Sequence, residues 1–296
     1  MKVFLTWYAD PPDPPYWVWI RDLDGILISL SSMRGLLIDR IGLQGLKRYL
    51  GCSGTIVVDS LSTSLTQHPS RGLEPLQSWI LYTQKILGAD ILIHKDIPLV
   101  KADLSQELKE KLLKRTILNA EHALNLSDRL GIEIMLIVQG WDLKSYEKCA
   151  EKYKELGVKY VGVGSLVPKR NNPEYVVKVV SNVRQAVGER TYLHVLGVMS
   201  PGFGVRLARY ANSVDISTPM KAAVAREIIV NLDSRLGRIH LSTVTESFIY
   251  ETLRGFSEEI AEKVKISRTV REMVRYIAIY NAYTIVNWLR GMVGRG

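Results

Sequence analysis

The chain has 296 residues, 47% of them hydrophobic and 23% charged, which suits a globular protein with ample length for a large core and excludes a disordered or collagen-like chain. A formal net charge of +9 favours a polyanionic partner, because phosphates are attracted to a positive surface at long range; a basic enzyme without such a partner is the plainer alternative. Two cysteines far apart, Cys52 and Cys149, exclude a disulfide framework and point to a reducing cytoplasm.

The N-terminus, M-K-V-F-L-T-W-Y-A-D, reads as an opening strand that turns polar and Pro-rich too soon for a signal peptide. The following D-P-P-D-P-P is a surface loop, since proline removes donors and fixes the backbone. W-V-W-I-R-D-L-D-G-I-L-I-S predicts a hairpin turning at Asp24-Gly25. A helix-like stretch then stops at Gly51.

From there short Val/Ile-rich runs alternate with longer amphipathic segments. The runs are T-I-V-V-D, D-I-L-I-H, I-M-L-I-V-Q-G, Y-V-G-V-G, Y-L-H-V-L-G, S-V-D-I-S and R-I-H-L-S. Such nearly continuous apolar runs are the mark of parallel strands buried on both faces. With the first strand they make about eight units, which predicts an α/β (β/α)8 TIM-type barrel with an N-terminal hairpin and a C-terminal helical extension. A doubly wound open sheet is the runner-up, but no Gly-rich phosphate turn follows the first strand. The expected division is a barrel over residues 1–256 and a basic helical extension over residues 257–296, packed on it. The extension carries seven Lys/Arg against four Glu, with tyrosines and Trp288 between them. Its most apolar stretch, Tyr276–Leu289, is short and broken by two asparagines, and no run spans a bilayer.

In a barrel of this kind the chemistry sits at the carboxyl ends of the strands. Those ends carry Asp59, Asp96, Gln139, Gly164 with Ser165, and Asp215. Any one aspartate could be a turn former or helix cap, and Gln139 could bond a loop backbone. Three carboxylates at one mouth are more than a core needs, because burying each without a partner is costly. His94, His194 and His240 also lie on strands; a three-histidine zinc site is an alternative, although no pair has metal-ligand spacing.

The ordered series V-V-D-S, L-G-A-D-I-L-I-H-K-D, I-V-Q-G, V-G-S-L, L-G-V-M-S-P and V-D-I-S-T-P resembles the tRNA-guanine transglycosylase family, including its 7-deazaguanine DNA transglycosylase relatives. The resemblance runs from about Ile56 to Met220, and it rests on order and spacing rather than on any single motif. It implies a modified TIM barrel that exchanges a guanine in a polynucleotide, tRNA or DNA, for a 7-deazaguanine without breaking the backbone. Asp215 would be the nucleophile at the anomeric carbon and Asp59 the general acid/base. Asp96 and Gln139 would bind the guanine-like edge, with Gly164, Ser165, Leu166 and Ser60 completing the pocket. Independently of the resemblance, the basic surface, with Lys169, Arg170, Arg268, Arg271 and Arg275, is expected to hold the polynucleotide's phosphates. A homo- or heterodimer is compatible with the resemblance; a membrane partner is not expected.

Two departures bear on that expectation. The family follows its first aspartate with Gly-Gly-Phe-Gln, whereas Leu61-Ser62-Thr63-Ser64-Leu65 follow Ser60 here. The family also carries a structural zinc on three cysteines and a histidine, and this chain has no cysteine after Cys149, so no cofactor or metal is expected. Both departures leave DNA open beside tRNA. A non-catalytic nucleic-acid-binding subunit of the same fold, and an unrelated TIM-barrel enzyme acting on a small molecule, are the competing readings.

Overall fold

Eight short runs of Val, Ile and Leu close on themselves as a parallel barrel. In a computed structural model that describes residues 1–60, 76–100, 103–169, 171–197, 201–232 and 235–294, the staves are β1 (Lys2–Trp7), β2 (Gly25–Ser29), β3 (Thr55–Asp59), β4 (Ile91–Ile93), β5 (Ile134–Val138), β6 (Tyr160–Val163), β7 (Tyr192–Val195) and β8 (Ser213–Ile216). They pair in sequence order, and β1 closes on β8 with Phe4 opposite Asp215. Phe4, Leu27, Val57, Ile91, Ile93, Met135 and Ile137 form one buried cluster, the alternate residues that fill the barrel interior. The opposite faces of the same strands join the surrounding helices in a larger core. This is the (β/α)8 TIM-type fold that the alternation of runs predicts.

The helices are set by local caps. The side chain of Ser105 accepts from Leu108 N and Gly131, in the left-handed region at φ 61°, stops the helix Gln106–Leu130. Asp142 and Ser145 form a reciprocal cap on Leu143–Glu155, directly after the end of β5. Asn172 and Pro173 start Pro173–Val187.

Two expectations are corrected. The predicted hairpin at Asp24-Gly25 does not exist: a short helix, Tyr16–Trp19, follows β1, and β2 pairs with β1 in parallel. Gly25 serves close packing instead, since a Cβ there would stand 2.2 Å from Thr55 O. Second, R-I-H-L-S is not a barrel stave. It ends β10 (Arg235–His240), which pairs antiparallel with β9 (Glu227–Leu232) in a separate two-stranded sheet. The eighth stave is Gly25–Ser29.

The apolar stretch Tyr276–Leu289 lies inside the helix Val270–Val293, which packs on the helix Thr218–Val224 and on β9. No helix of the described residues is long and apolar enough to cross a membrane. Asn281, one of its two asparagines, is fully buried. Its Oδ1 accepts Ile229 N–H at 2.7 Å and its Nδ2 donates to Glu227 O at 3.0 Å and Pro219 O at 3.4 Å. The polar break in the sequence is thus the tie between the last helix and the segment just after β8. The same helix runs the length of the barrel. Arg275 donates to Pro12 O in the loop after β1, and Arg290 donates to Asp22 O before β2.

Candidate active site

Strand periodicity puts three expected residues, Asp59, Gln139 and Asp215, on one face with Thr6. Asp59 stands two residues beyond Val57, Gln139 two beyond Ile137 and Thr6 two beyond Phe4, all continuing rows that line the barrel interior. Asp215 stands two beyond Ser213, in register with Phe4. Each therefore projects into the same opening at the carboxyl ends of the strands.

Asp96, in the loop after β4, is brought to them by hydrogen bonds. Ser60 Oγ donates to Asp96 Oδ1 at 3.3 Å, and Gln139 Nε2 donates to Asp96 Oδ2. Ser165, at φ 55°, donates from Oγ to Gln139 Oε1 and accepts Leu99 N–H at 2.7 Å. This left-handed backbone aims the hydroxyl back at the amide. Gly164 lies under Gln139, and Tyr146 Oη donates to Gly164 O at 2.9 Å. Lys169 Nζ donates to Gly140 O at 3.2 Å and lies over the Tyr146 ring; burial lowers its pKa to about 8. Leu166 is buried beside this row. Asp96, Gln139, Ser60, Ser165 and Gly164 thus form one connected polar floor, with acceptor and amide groups side by side.

Asp215 is pinned at both oxygens: Thr6 Oγ1 donates to Oδ2 at 3.0 Å and Gly197 N–H to Oδ1 at 2.8 Å. Asp59 is in the opposite situation. Burial drives its carboxyl well above the usual range, and the negative charges of Asp96 and Asp215 add to that push against the Ser60 N–H. Two acids at one mouth are thereby differentiated, one fixed by donors and one with its pKa raised by burial and like charge.

The sequence is similar to that of a known protein. Over 177 residues the chain is 27% identical to the tRNA-guanine(15) transglycosylase of Korarchaeum cryptofilum (strain OPF8). The match covers 58% of this chain and 30% of that protein, so the chain spans well under half the length of its relative. No family model matches the chain. The likeness agrees with the family resemblance carried by the strand-end motifs.

Other expected residues are placed less uniformly. Arg268 and Arg271 are exposed at the start of the last helix, whereas Arg275 is half-buried and bound to Pro12 O at 2.5 Å. Arg170 and Leu61–Leu65 lie outside the described residues. The three-histidine alternative fails, because the side chains face different surroundings. His94 packs edge-on to Tyr153, with burial lowering its pKa to about 3; His194 stacks on Phe4; His240 is exposed and bonds Ser242. Cys52 and Cys149 are buried and free.

Sequence reasoning missed Thr6, Gly197, Tyr8 and Asp13. Thr6 was findable from the two-residue step beyond Phe4. Asp13, in the Pro-rich loop, is buried, and its carboxyl rises to about 6, chiefly through burial and against Tyr8 N–H. With Thr6, Tyr8, Ser217 and Lys221 it lines a recess of about 210 Å³ beside Asp215.

Proposed function

We propose that the protein is a base-exchange transglycosylase that replaces a guanine in a polynucleotide by way of a covalent intermediate on Asp215. The observation that carries the reading is the pairing at one mouth of a donor-pinned carboxylate, Asp215, with a second carboxyl, Asp59, whose pKa burial and the neighbouring charges of Asp96 and Asp215 raise. In the first half-reaction an oxygen of Asp215 forms a bond to the anomeric carbon as the bond from that carbon to the base nitrogen breaks. The proton of Asp59 goes to the departing base, which leaves neutral. In the second half-reaction the incoming base gives its proton to the Asp59 carboxylate. Its nitrogen takes the anomeric carbon and the Asp215 carboxylate is released. Two inversions give net retention.

Asp96 and Gln139 support a guanine-type base. Adjacent N–H donors on such an edge match a buried carboxylate, and a carbonyl matches an amide N–H. These groups also bond each other, which fixes their relative orientation. The target nucleotide must be unpaired or flipped out to reach it. The family resemblance adds a 7-deazaguanine as the incoming base, with DNA or tRNA as the polynucleotide. Arg268 and Arg271 would meet its phosphates.

The test is incubation with radiolabelled guanine and separate tRNA and DNA pools. Label entering one pool supports the reading and names the substrate. Tight binding of both pools without incorporation of guanine or of a 7-deazaguanine would favour a non-catalytic binding subunit.

A further inference from the structure

His194 is a buried polar ring beside Asp215. It is fully buried on β7, and its ring lies 5.6 Å from that of Phe4 at 29°. Its register neighbours across the sheet are Gly162 and Ser213. Nδ1 is 2.7 Å from Ser213 Oγ. Nε2 has no hydrogen-bond partner but faces Asp215 Oδ1 at 3.4 Å. A buried polar atom left in this way is costly unless it has a task.

The tautomer follows from electrostatics. A neutral imidazole carries one N–H. If that proton sat on Nδ1, the Nε2 lone pair would confront the lone pairs of Oδ1. If Ser213 donates to Nδ1, the proton sits on Nε2 and points at Oδ1. Oδ1 then lies between two donors, Gly197 N–H and His194 Nε2–H, while Oδ2 has Thr6 Oγ1.

We propose that His194, oriented by Ser213, is a positioning residue for Asp215: it holds Oδ1 and leaves Oδ2 as the oxygen that reaches the sugar. The catalytic consequence rests on the reading of Asp215 as nucleophile. The hydrogen-bond arrangement does not.

The test therefore has two arms. In the first, the full chain labelled with ¹⁵N-histidine is examined by NMR. The His194 ring is expected as the Nε2–H tautomer, with signals that move in Asp215→Asn. An Nδ1–H tautomer, or signals unmoved by Asp215→Asn, overturns the proposal whatever the protein catalyses. In the second, His194→Gln, whose amide nitrogen replaces Nε2, is compared with His194→Asn, whose amide replaces Nδ1. His194→Gln should keep most of the wild-type kcat, and His194→Asn should lose up to about 100-fold of it with KM for both substrates unchanged. Equal losses in both folded variants, or a loss confined to KM, contradict the positioning role. If the wild-type protein exchanges no base, the proposed function fails and the first arm alone decides.

Discussion

Gln139 lies directly over Gly164: a Cβ added to the glycine would stand 2.6 Å from Gln139 Nε2 and 2.9 Å from Ile137 Cγ2. The amide that binds to Asp96 and Ser165 can occupy its place only because residue 164 has no side chain. Gly164→Ala should tilt Gln139 out of the floor. We expect KM for the free base to rise at least about tenfold, with a stability loss of about 1–3 kcal/mol from overpacking. Base-dependent kinetics and denaturant titration check both parts.

Asp59 and Asp13 give a pH dependence of definite sign. Each carboxyl is raised in the folded state, so the folded chain binds more protons than the unfolded chain above the ordinary carboxyl value. Stability is then greatest below that value and falls as pH rises through the raised one. For Asp13 the window runs from 3.8 to about 6. A shift of that size corresponds to about 3 kcal/mol. Asp13→Asn should flatten the fall over this window and leave the variant more stable than wild type at pH 7. Unfolding measured across the window checks it.

Asn281 satisfies an amide N–H and two carbonyls that belong to β9 and the segment after β8. Asn281→Leu removes all three partners within a buried site, and we expect a loss of about 2–4 kcal/mol. Because Pro219 follows Asp215 closely, the exchange rate should fall as well. Equilibrium unfolding and a rate assay on the folded fraction separate the two effects.

Arg268 and Arg271 are free to meet phosphates, whereas Arg275 is committed to Pro12 O. Neutralising Arg268 and Arg271 should reduce the slope of log affinity against log salt by about 2 without a change in stability. Arg275→Gln should instead destabilise the loop after β1. Binding titrations at several salt concentrations check this.

The strand-end motifs were legible because the barrel needs apolar runs and the chemistry needs polar residues where those runs stop. Asp59, Gln139 and Asp215 fall at those stops, and inward parity follows from a two-residue count. Gly25 misled because Asp-Gly between apolar runs is the usual hairpin signal, whereas here the glycine lets β2 approach Thr55 O. Arg235–His240 misled because alternation alone cannot tell a barrel stave from a strand outside it. The role of His194 was hidden for another reason. Its neighbours, Phe4, Ser213 and Asp215, come from other staves, so only the register brings them together. Asp13 was hidden by its Pro-rich setting, which reads as a surface loop although the side chain is buried.

The most direct test is the covalent step. The wild-type protein, incubated with its polynucleotide, quenched in acid and digested with nuclease and trypsin, should yield a glycosylated peptide spanning Tyr210 to Lys221, with the added mass on Asp215. Asp215→Asn should bind the polynucleotide nearly as well, form no adduct and exchange no base. An adduct on a different carboxylate, or undiminished exchange by Asp215→Asn, would contradict the account.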